Sequence, residues 1–355
     1  MRTLSLVTTG GTIASRSALG GGKVASASAA DLVAGLAVPA DVRIRVHELP
    51  ATNSYAMTLS DMDAVRAAIA AELADPELCG VVVTHGTDAL EETALLVDLL
   101  HADPRPVVFT GAQIAADDPD PDGPQNLLDA VRLVVDGAAT GRGVLVCFGG
   151  RVLPVWGLTK AHTSARDAFT GLTGTAVPAP GAPISLPEAT RTVTLVPPLS
   201  VGHLRVDVVA VHPGADRVVV DACVRAGAAG VVLQGTGCGN ASPDVVRAVA
   251  EHTRAGVTVV LSTRVPAGPV RPVYGGGGGG VDLVQAGAVP SVRLRPGQAR
   301  VLLAALLAAG VDGATLRRAF DDPDAGRLPT AGPAPAGLLE PPVPPATAVS
   351  RRILQ

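Results

Sequence analysis

Over the first 150 residues, short apolar runs alternate with segments whose apolar positions recur every three or four residues. Thr3–Thr9 reads as a buried strand ending at Gly10–Gly11, and Val42–Val46, Gly80–Thr84, Val107–Thr110 and Gly143–Phe148 read as further strands. Ser60–Leu73 and Gln125–Val135 carry helical periodicity. Ser60 with Asp63, and Asp88 with Glu91, have the spacing of capping boxes, which predicts helix starts there. Strands alternating with helices predict a parallel sheet covered on both faces. Between Gly171 and Gly202 the periodicity fades and prolines accumulate. Alternation then resumes with strands at Val206–Val211, Gly230–Gln234 and Val257–Leu261 and a helix at Asp216–Ala226. Ser242–Pro243 has the form of an N-cap followed by proline in the first turn. The pattern gives four segments: an N-terminal α/β domain (1–180), a linker (181–203), a smaller C-terminal α/β domain (204–327), and a Pro/Ala-rich tail (328–355) expected to be extended or mobile.

A length of 355 residues suits two domains. With 47% hydrophobic and 17% charged residues, most of the chain has the apolar material for packed cores, which excludes wholesale disorder. A net charge of -4 argues against a nucleic-acid partner. No run approaches the ~18 apolar residues of a bilayer span, so no membrane partner is expected. The apolar N-terminal run is short and enters a glycine turn with no cleavage-type ending, so it reads as a strand. Cys79, Cys147, Cys223 and Cys238 are far apart and form no CxxC. They fit free thiols in a reducing compartment, and a cytoplasmic protein is expected.

Three segments carry small polar or ionisable groups at strand ends, where open α/β sheets bind ligands. Thr8-Thr9-Gly10-Gly11-Thr12 combines a tight glycine turn, whose N–H groups can hold an anion or oxyanion, with a following hydroxyl. It lacks the GxxxxGK[ST] pattern of a phosphate loop. Thr84-His85-Gly86-Thr87-Asp88 offers a hydroxyl and a carboxylate together, although Asp88 could equally be a helix cap and His85 a structural histidine. Lys160 forms the third. Only Lys23 and Lys160 are lysines among 28 basic residues, so a lysine where arginine would serve on a surface draws notice. A hydroxyl nucleophile needs a base, and a lysine that burial keeps neutral can serve. Lys23 reads as a mobile loop charge.

Taken together and in order, these segments resemble the bacterial-type L-asparaginase (asparaginase/glutaminase) family. TTGGTIAS is similar to its first signature and THGTDALEETA to its second. Asn53-Ser54-Tyr55-Ala56-Met57-Thr58 resembles its substrate-carboxylate loop. Further blocks follow at Thr110–Gln113, Asp122–Leu127, Lys160 with Ala165–Phe169, Gly235–Asn240, Ser262–Pro266 and Tyr274–Gly276. The resemblance spans residues 3 to 310 and implies a larger parallel-sheet, flavodoxin-like domain with a smaller α/β domain after it. It also implies hydrolysis of a side-chain amide to aspartate and ammonia, with no metal and no organic cofactor.

Carried over residue by residue, Thr12 is the nucleophile, and Thr87, Asp88 and Lys160 form a hydroxyl-carboxylate-amine group across the site. Asp88 also takes the substrate ammonium, Ser54 and Tyr55 lie at the substrate carboxylate, and N–H groups near Gly11 and Thr87 hold the oxyanion. Asn240 reaches a neighbouring subunit's site in a homodimer or homotetramer. The chain departs from the family in three places. Ser15–Ala30 contains no tyrosine where many members place one to assist the nucleophile, leaving Ser17, Lys23 or a residue from elsewhere to do so. The stretch after Ser262–Pro266 runs to Tyr274 and six glycines where secreted members often have an acidic residue. Tyr55 stands where some relatives have glutamine. The alternatives are the amidase subunit of a tRNA-dependent amidotransferase, which usually carries an additional N-terminal domain, and a non-catalytic amino-acid- or nucleotide-binding α/β protein. The latter leaves Lys160 and the paired threonines unexplained.

Overall fold

The structure is a computed structural model that describes residues 1–321, apart from 19, 172–173, 178–185, 187–194 and 196–198, together with Arg352–Ile353. The chain divides into two compact units, Met1–Ala189 with Thr330–Gln355, and Thr190–Pro329. Most of the expected linker and nearly all of the tail lie outside the described residues.

In the first unit, β1 (Arg2–Thr8) leads through a one-turn 3-10 helix (Thr12–Ala14) to the hairpin β2 (Ser15–Ser17) and β3 (Lys23–Ala25). Then come α1 (Ala29–Ala34), β4 (Val42–Glu48), α2 (Leu59–Leu73), β5 (Leu78–Thr84), α3 (Leu90–Leu100), β6 (Val107–Thr110), α4 (Gly123–Val135) and β7 (Val144–Phe148). The short strands β8 (Arg151–Pro154), β9 (Thr159–Lys160), β10 (Phe169–Thr170) and β11 (Thr175–Ala176) complete it.

The sheet order is β11-β8-β7-β6-β5-β1-β4, with β4 through β7 parallel and β8 and β11 added antiparallel. Counted among the five parallel strands alone, the order is 2-1-3-4-5, the flavodoxin-like arrangement. Leu4, Leu6, Ile44, Val82, Val108 and Leu145 point to one face and pack with Leu127, Val131 and Val134 of α4. Alternation turns Ser5, Val7, Val81 and Val83 to the other face, which α2 covers. Because both faces are buried, β5, β6 and β7 carry near-continuous apolar runs, which made them legible in the sequence, whereas β4 alternates Val42, Ile44 and Val46 with Arg43, Arg45 and His47. Arg352–Ile353 pairs antiparallel with Val46 and Arg45 of β4. The pairing has a simple cause, since an open sheet edge offers unpaired N–H and C=O groups to any extended segment.

The predicted helix starts shift. α2 is capped by Thr58, whose hydroxyl accepts the Asp61 N–H at 3.2 Å while the Asp61 carboxylate takes the Thr58 N–H at 2.7 Å. Asp63, the expected box partner of Ser60, pairs instead with Arg66 at 2.6 Å. The Asp88–Glu91 box is not formed. α3 starts after Ala89 with no side-chain cap, because both carboxylates are drawn to the Lys160 strand.

The second unit is a parallel four-stranded sheet in sequential order: β12 (Val206–Ala210), β13 (Gly230–Gly235), β14 (Thr258–Thr263) and β15 (Val289–Pro290). Helices α5 (Val218–Arg225), α6 (Pro243–Arg254) and α7 (Gly280–Gln285) belong to one core, in which Val231, Leu233 and Leu261 meet Val220, Val249 and Leu283. α8 (Pro296–Ala308) packs on β12, β13 and β14, and α9 (Gly313–Asp321) on β15. Ser242 caps α6 as expected, accepting the Val245 N–H at 3.3 Å. Among the described residues, no helix is long and apolar enough to cross a membrane.

Candidate active site

The crevice of a doubly wound sheet opens at the carboxyl ends of the strands where their order reverses. Here that point lies between β1 and β5, which end side by side with Thr8 opposite Thr84. The first two signature segments start from these ends. Gly10 and Gly11 have φ of 92° and 87°, a region that L side chains avoid. A Cβ on Gly11 would sit 2.7 Å from the Cα and N of Gly86, so the two turns touch backbone to backbone. A Cβ on Gly86 would in turn sit 2.5 Å from the Ser54 hydroxyl oxygen, and one on Gly111 2.5 Å from the His85 carbonyl oxygen. Glycine therefore lets four loops converge, and Thr12 and Thr87 each follow a glycine of the central contact.

Thr12 opens the 3-10 turn and is partly exposed. Among the described residues, its hydroxyl has no hydrogen-bond partner, and the N–H groups of Gly11, Thr12 and Thr87 are likewise unpaired. Unpaired N–H groups at a helical start are suited to an anion. Thr87 is buried. Lys160 Nζ donates to Thr87 Oγ1 at 2.8 Å and to Asp88 Oδ1 at 2.7 Å, so the expected hydroxyl-carboxylate-amine group is assembled across 73 residues of chain. Lys160 is mostly covered, whereas the Asp88 side chain is 50% exposed. A 210 Å³ recess lies against Asp88, Lys160 and His162.

Ser54 is buried, and its hydroxyl accepts the Asp88 N–H at 3.2 Å, which ties the carboxylate loop to the second signature. Its O–H remains to donate. Tyr55 is 75% exposed and, among the described residues, its hydroxyl takes part only in a local contact, accepting from Asn53 Nδ2 at 2.9 Å. His85 is fully buried, and burial pushes its imidazole down to about 4. It is neutral at pH 7, and Nδ1–H donates to the Gly86 carbonyl at 2.7 Å, a bracing contact for the loop. Asn240 belongs to the second unit. There its main chain pairs with Thr236 and its carboxamide oxygen accepts the Gly280 N–H at 3.1 Å.

The two residues considered as helpers for Thr12 are otherwise engaged. Lys23 Nζ meets Asp117 at 2.8 Å, Asp118 at 3.2 Å and Ser17 Oγ at 3.1 Å, and the Ser17 N–H donates to Asp117 at 2.7 Å. The hydrogen bond to Asp117 raises the Lys23 ammonium above its ordinary range and lowers Asp117 in return. Lys23 is thus a fastening of the β2–β3 hairpin, which corrects its reading as a loose loop charge.

Glu91 went unread as a site residue. Its carboxylate Oε2 accepts the Lys160 N–H, and Oε1 lies 3.5 Å from the Thr159 hydroxyl. Burial pushes its carboxyl up to about 7, with repulsion from Glu92 adding to the effect and the Lys160 N–H, the Thr159 hydroxyl and the Lys160 charge opposing it. In the sequence, its position three residues after Asp88 was absorbed by the capping-box spacing.

Residues 3–179 match the N-terminal asparaginase domain, and residues 205–320 match the glutaminase/asparaginase C-terminal domain. A probable L-asparaginase of Deinococcus radiodurans is 40% identical over 68% of this chain and 74% of its own length. An L-asparaginase of Bacillus licheniformis is 32% identical over 87% and 97%. One of the subunits of a glutamyl-tRNA(Gln) amidotransferase from Halobacterium salinarum is 32% identical over 85% and 74%. The crystal structure of a probable cytoplasmic L-asparaginase from Campylobacter jejuni superposes with a TM-score of 0.80 at 27% identity, covering 90% of this chain and 99% of that one. Both domain matches fall in order along a chain whose first-unit strand ends carry the two signature turns, and the chain belongs to the asparaginase family.

Proposed function

We propose that this chain hydrolyses the side-chain amide of L-asparagine to aspartate and ammonia, with Thr12 as nucleophile. The observation that carries the reading is Lys160 Nζ hydrogen-bonded to both Thr87 and Asp88 beside the Gly11–Gly86 contact that presents Thr12. In this reading the Thr12 oxygen adds to the amide carbon, and the charge that develops on the carbonyl oxygen is met by the free N–H groups of Gly11 and Thr87. Each such donor is commonly worth about 3–4 kcal/mol. Collapse breaks the C–N bond, and ammonia departs with the proton given up by Thr12. Water, activated through the Thr87–Lys160 pair, then cleaves the acyl ester and restores the hydroxyl. The exposed part of the Asp88 carboxylate takes the substrate ammonium, and Ser54 O–H serves its carboxylate. A cytoplasmic site of action accords with the four free cysteines.

The test is ammonia release from L-asparagine, L-glutamine and D-asparagine without added metal or nucleotide. L-asparagine is expected to be turned over, and Thr12→Ala is expected to lose several decades of kcat, about 1.4 kcal/mol each, with its fold intact. Wild-type turnover by Thr12→Ala would dismiss the nucleophile. We also propose at least a dimer in which Asn240 serves a neighbouring site. Mixed Thr12→Ala and Asn240→Ala chains should then recover activity through subunit exchange, and proven hybrids without recovery would exclude sharing. The likeness to the Halobacterium protein keeps an amidotransferase component as a second reading, which predicts glutamine turnover that rises with charged tRNA and a partner protein.

A further inference from the structure

Lys160 Nζ bridges Thr87 and Asp88, and where it reaches depends on where its main chain is held. β9 offers little hold, being two residues long and paired with two residues of β10. α3 is the firm element nearby, with Leu90, Ala94, Leu95 and Leu96 fully buried. Glu91 joins the two. It lies in the first turn of α3, three residues after Asp88, and its carboxylate takes the Lys160 N–H and faces the Thr159 hydroxyl. The helix that follows Thr87 and Asp88 thereby also sets the strand that carries their partner.

We propose that Glu91 is a positioning residue for Lys160, acting as a hydrogen-bond acceptor that locks β9 to the start of α3, and not through its charge. This inference rests on the amidohydrolase reading above. Among the charged groups that act on Glu91 are Glu92 on its own helix and Lys160 on the facing strand. A carboxyl group near half-protonation at pH 7 would make a poor fixed charge, yet Oε2 keeps a lone pair for the Lys160 N–H in either state. The acceptor is therefore constant across the neutral range while the charge is not.

Two substitutions in the full chain separate acceptor from charge. Glu91→Gln keeps a carbonyl oxygen and removes the charge. Glu91→Met keeps similar bulk, relieves the buried carboxyl, and removes the acceptor. Each is measured by kcat and KM for ammonia release from asparagine, and by backbone hydrogen exchange at residues 159–161. Glu91→Gln is expected to stay within roughly threefold of wild type in kcat with the Lys160 amide protected, whereas Glu91→Met loses that protection and about tenfold or more in kcat with KM little changed. Wild-type kcat in Glu91→Met overturns the proposal, as does a loss in Glu91→Gln equal to that in Glu91→Met. If the wild-type chain releases no ammonia, the amidohydrolase reading falls separately and exchange alone decides. Unchanged protection in Glu91→Met then refutes the positioning role, and lost protection supports it.

Discussion

Replacing Gly11 by alanine should damage the site by backbone strain and crowding together. Gly11 has φ 87° and ψ -178°, a region populated almost only by glycine, so a side chain there costs roughly 1–3 kcal/mol in backbone strain. The new Cβ would also lie 2.7 Å from the Cα and N of Gly86, which are backbone atoms and cannot swing aside. Ordinary carbon contact begins near ~3.5 Å, so the turns must part by about 0.8 Å. Overpacking of that kind adds about 1–3 kcal/mol, for a total of roughly 4 kcal/mol. Thr12 and Thr87 sit on the two sides of that contact, and a displacement of ~1 Å between reacting groups costs on the order of 100-fold in kcat.

Two further glycines separate the contributions. Gly21 has φ 77° with nothing within 4 Å of a Cβ, so Gly21→Ala carries strain alone and should leave kcat unchanged. Gly86 lacks a positive φ but would place a Cβ 2.5 Å from Ser54 Oγ, so Gly86→Ala carries crowding alone and should fall between the other two. The assay is melting temperature together with ammonia release. Gly11→Ala with the kcat and melting temperature of Gly21→Ala would refute the view that the touching turns set the distance between the two threonines.

Lys160→Arg keeps the positive charge but cannot pass a proton in the neutral range, so kcat should fall by about 100-fold or more, and a wild-type rate from pH 6 to 9 would reduce Lys160 to an electrostatic part. Glu91, raised from 4.5 to about 7 by burial, is protonated in both folded and unfolded chains below about 4.5, so its penalty is absent there. As pH climbs through 4.5 to 7, the unfolded chain ionises first and stability is lost, reaching about 3 kcal/mol above 7. Glu91→Gln should therefore gain melting temperature over wild type from pH 5 to pH 8, and a pH-independent difference would contradict the burial argument. Lys23→Met should unfasten the β2–β3 hairpin, seen as faster limited proteolysis between residues 15 and 25, with melting temperature nearly unchanged because exposed ion pairs contribute little.

Most of the parallel strands were legible because strands buried on both faces are nearly all apolar, as in Val81–Val83 and Val107–Phe109, whereas the two-residue β15 was not read. The signature turns were legible through their resemblance to the family's segments, Gly10-Gly11-Thr12 in the first and Gly86-Thr87-Asp88 in the second. Helix starts were less so: Ser60 with Asp63 was read as the box of α2, whereas Thr58 with Asp61 forms it, the backbone of Thr58 being extended. The antiparallel additions β8 and β11 gave too few residues for any period to show. The alternation that builds the sheets was readable in the chain because it rests on local pattern, and the family was readable through the resemblance of the quoted segments, which residues 3–179 and 205–320 bear out, while the site residues came only as what that resemblance implies. Only the tertiary structure shows what Lys23 and Glu91 bind, and that the Asp88 carboxylate goes to Lys160 and not to the helix cap. A carboxylate takes the strongest donor within reach, and reach depends on which distant segments the fold brings together: Asp88 abandons a helix cap for an ammonium 72 residues away.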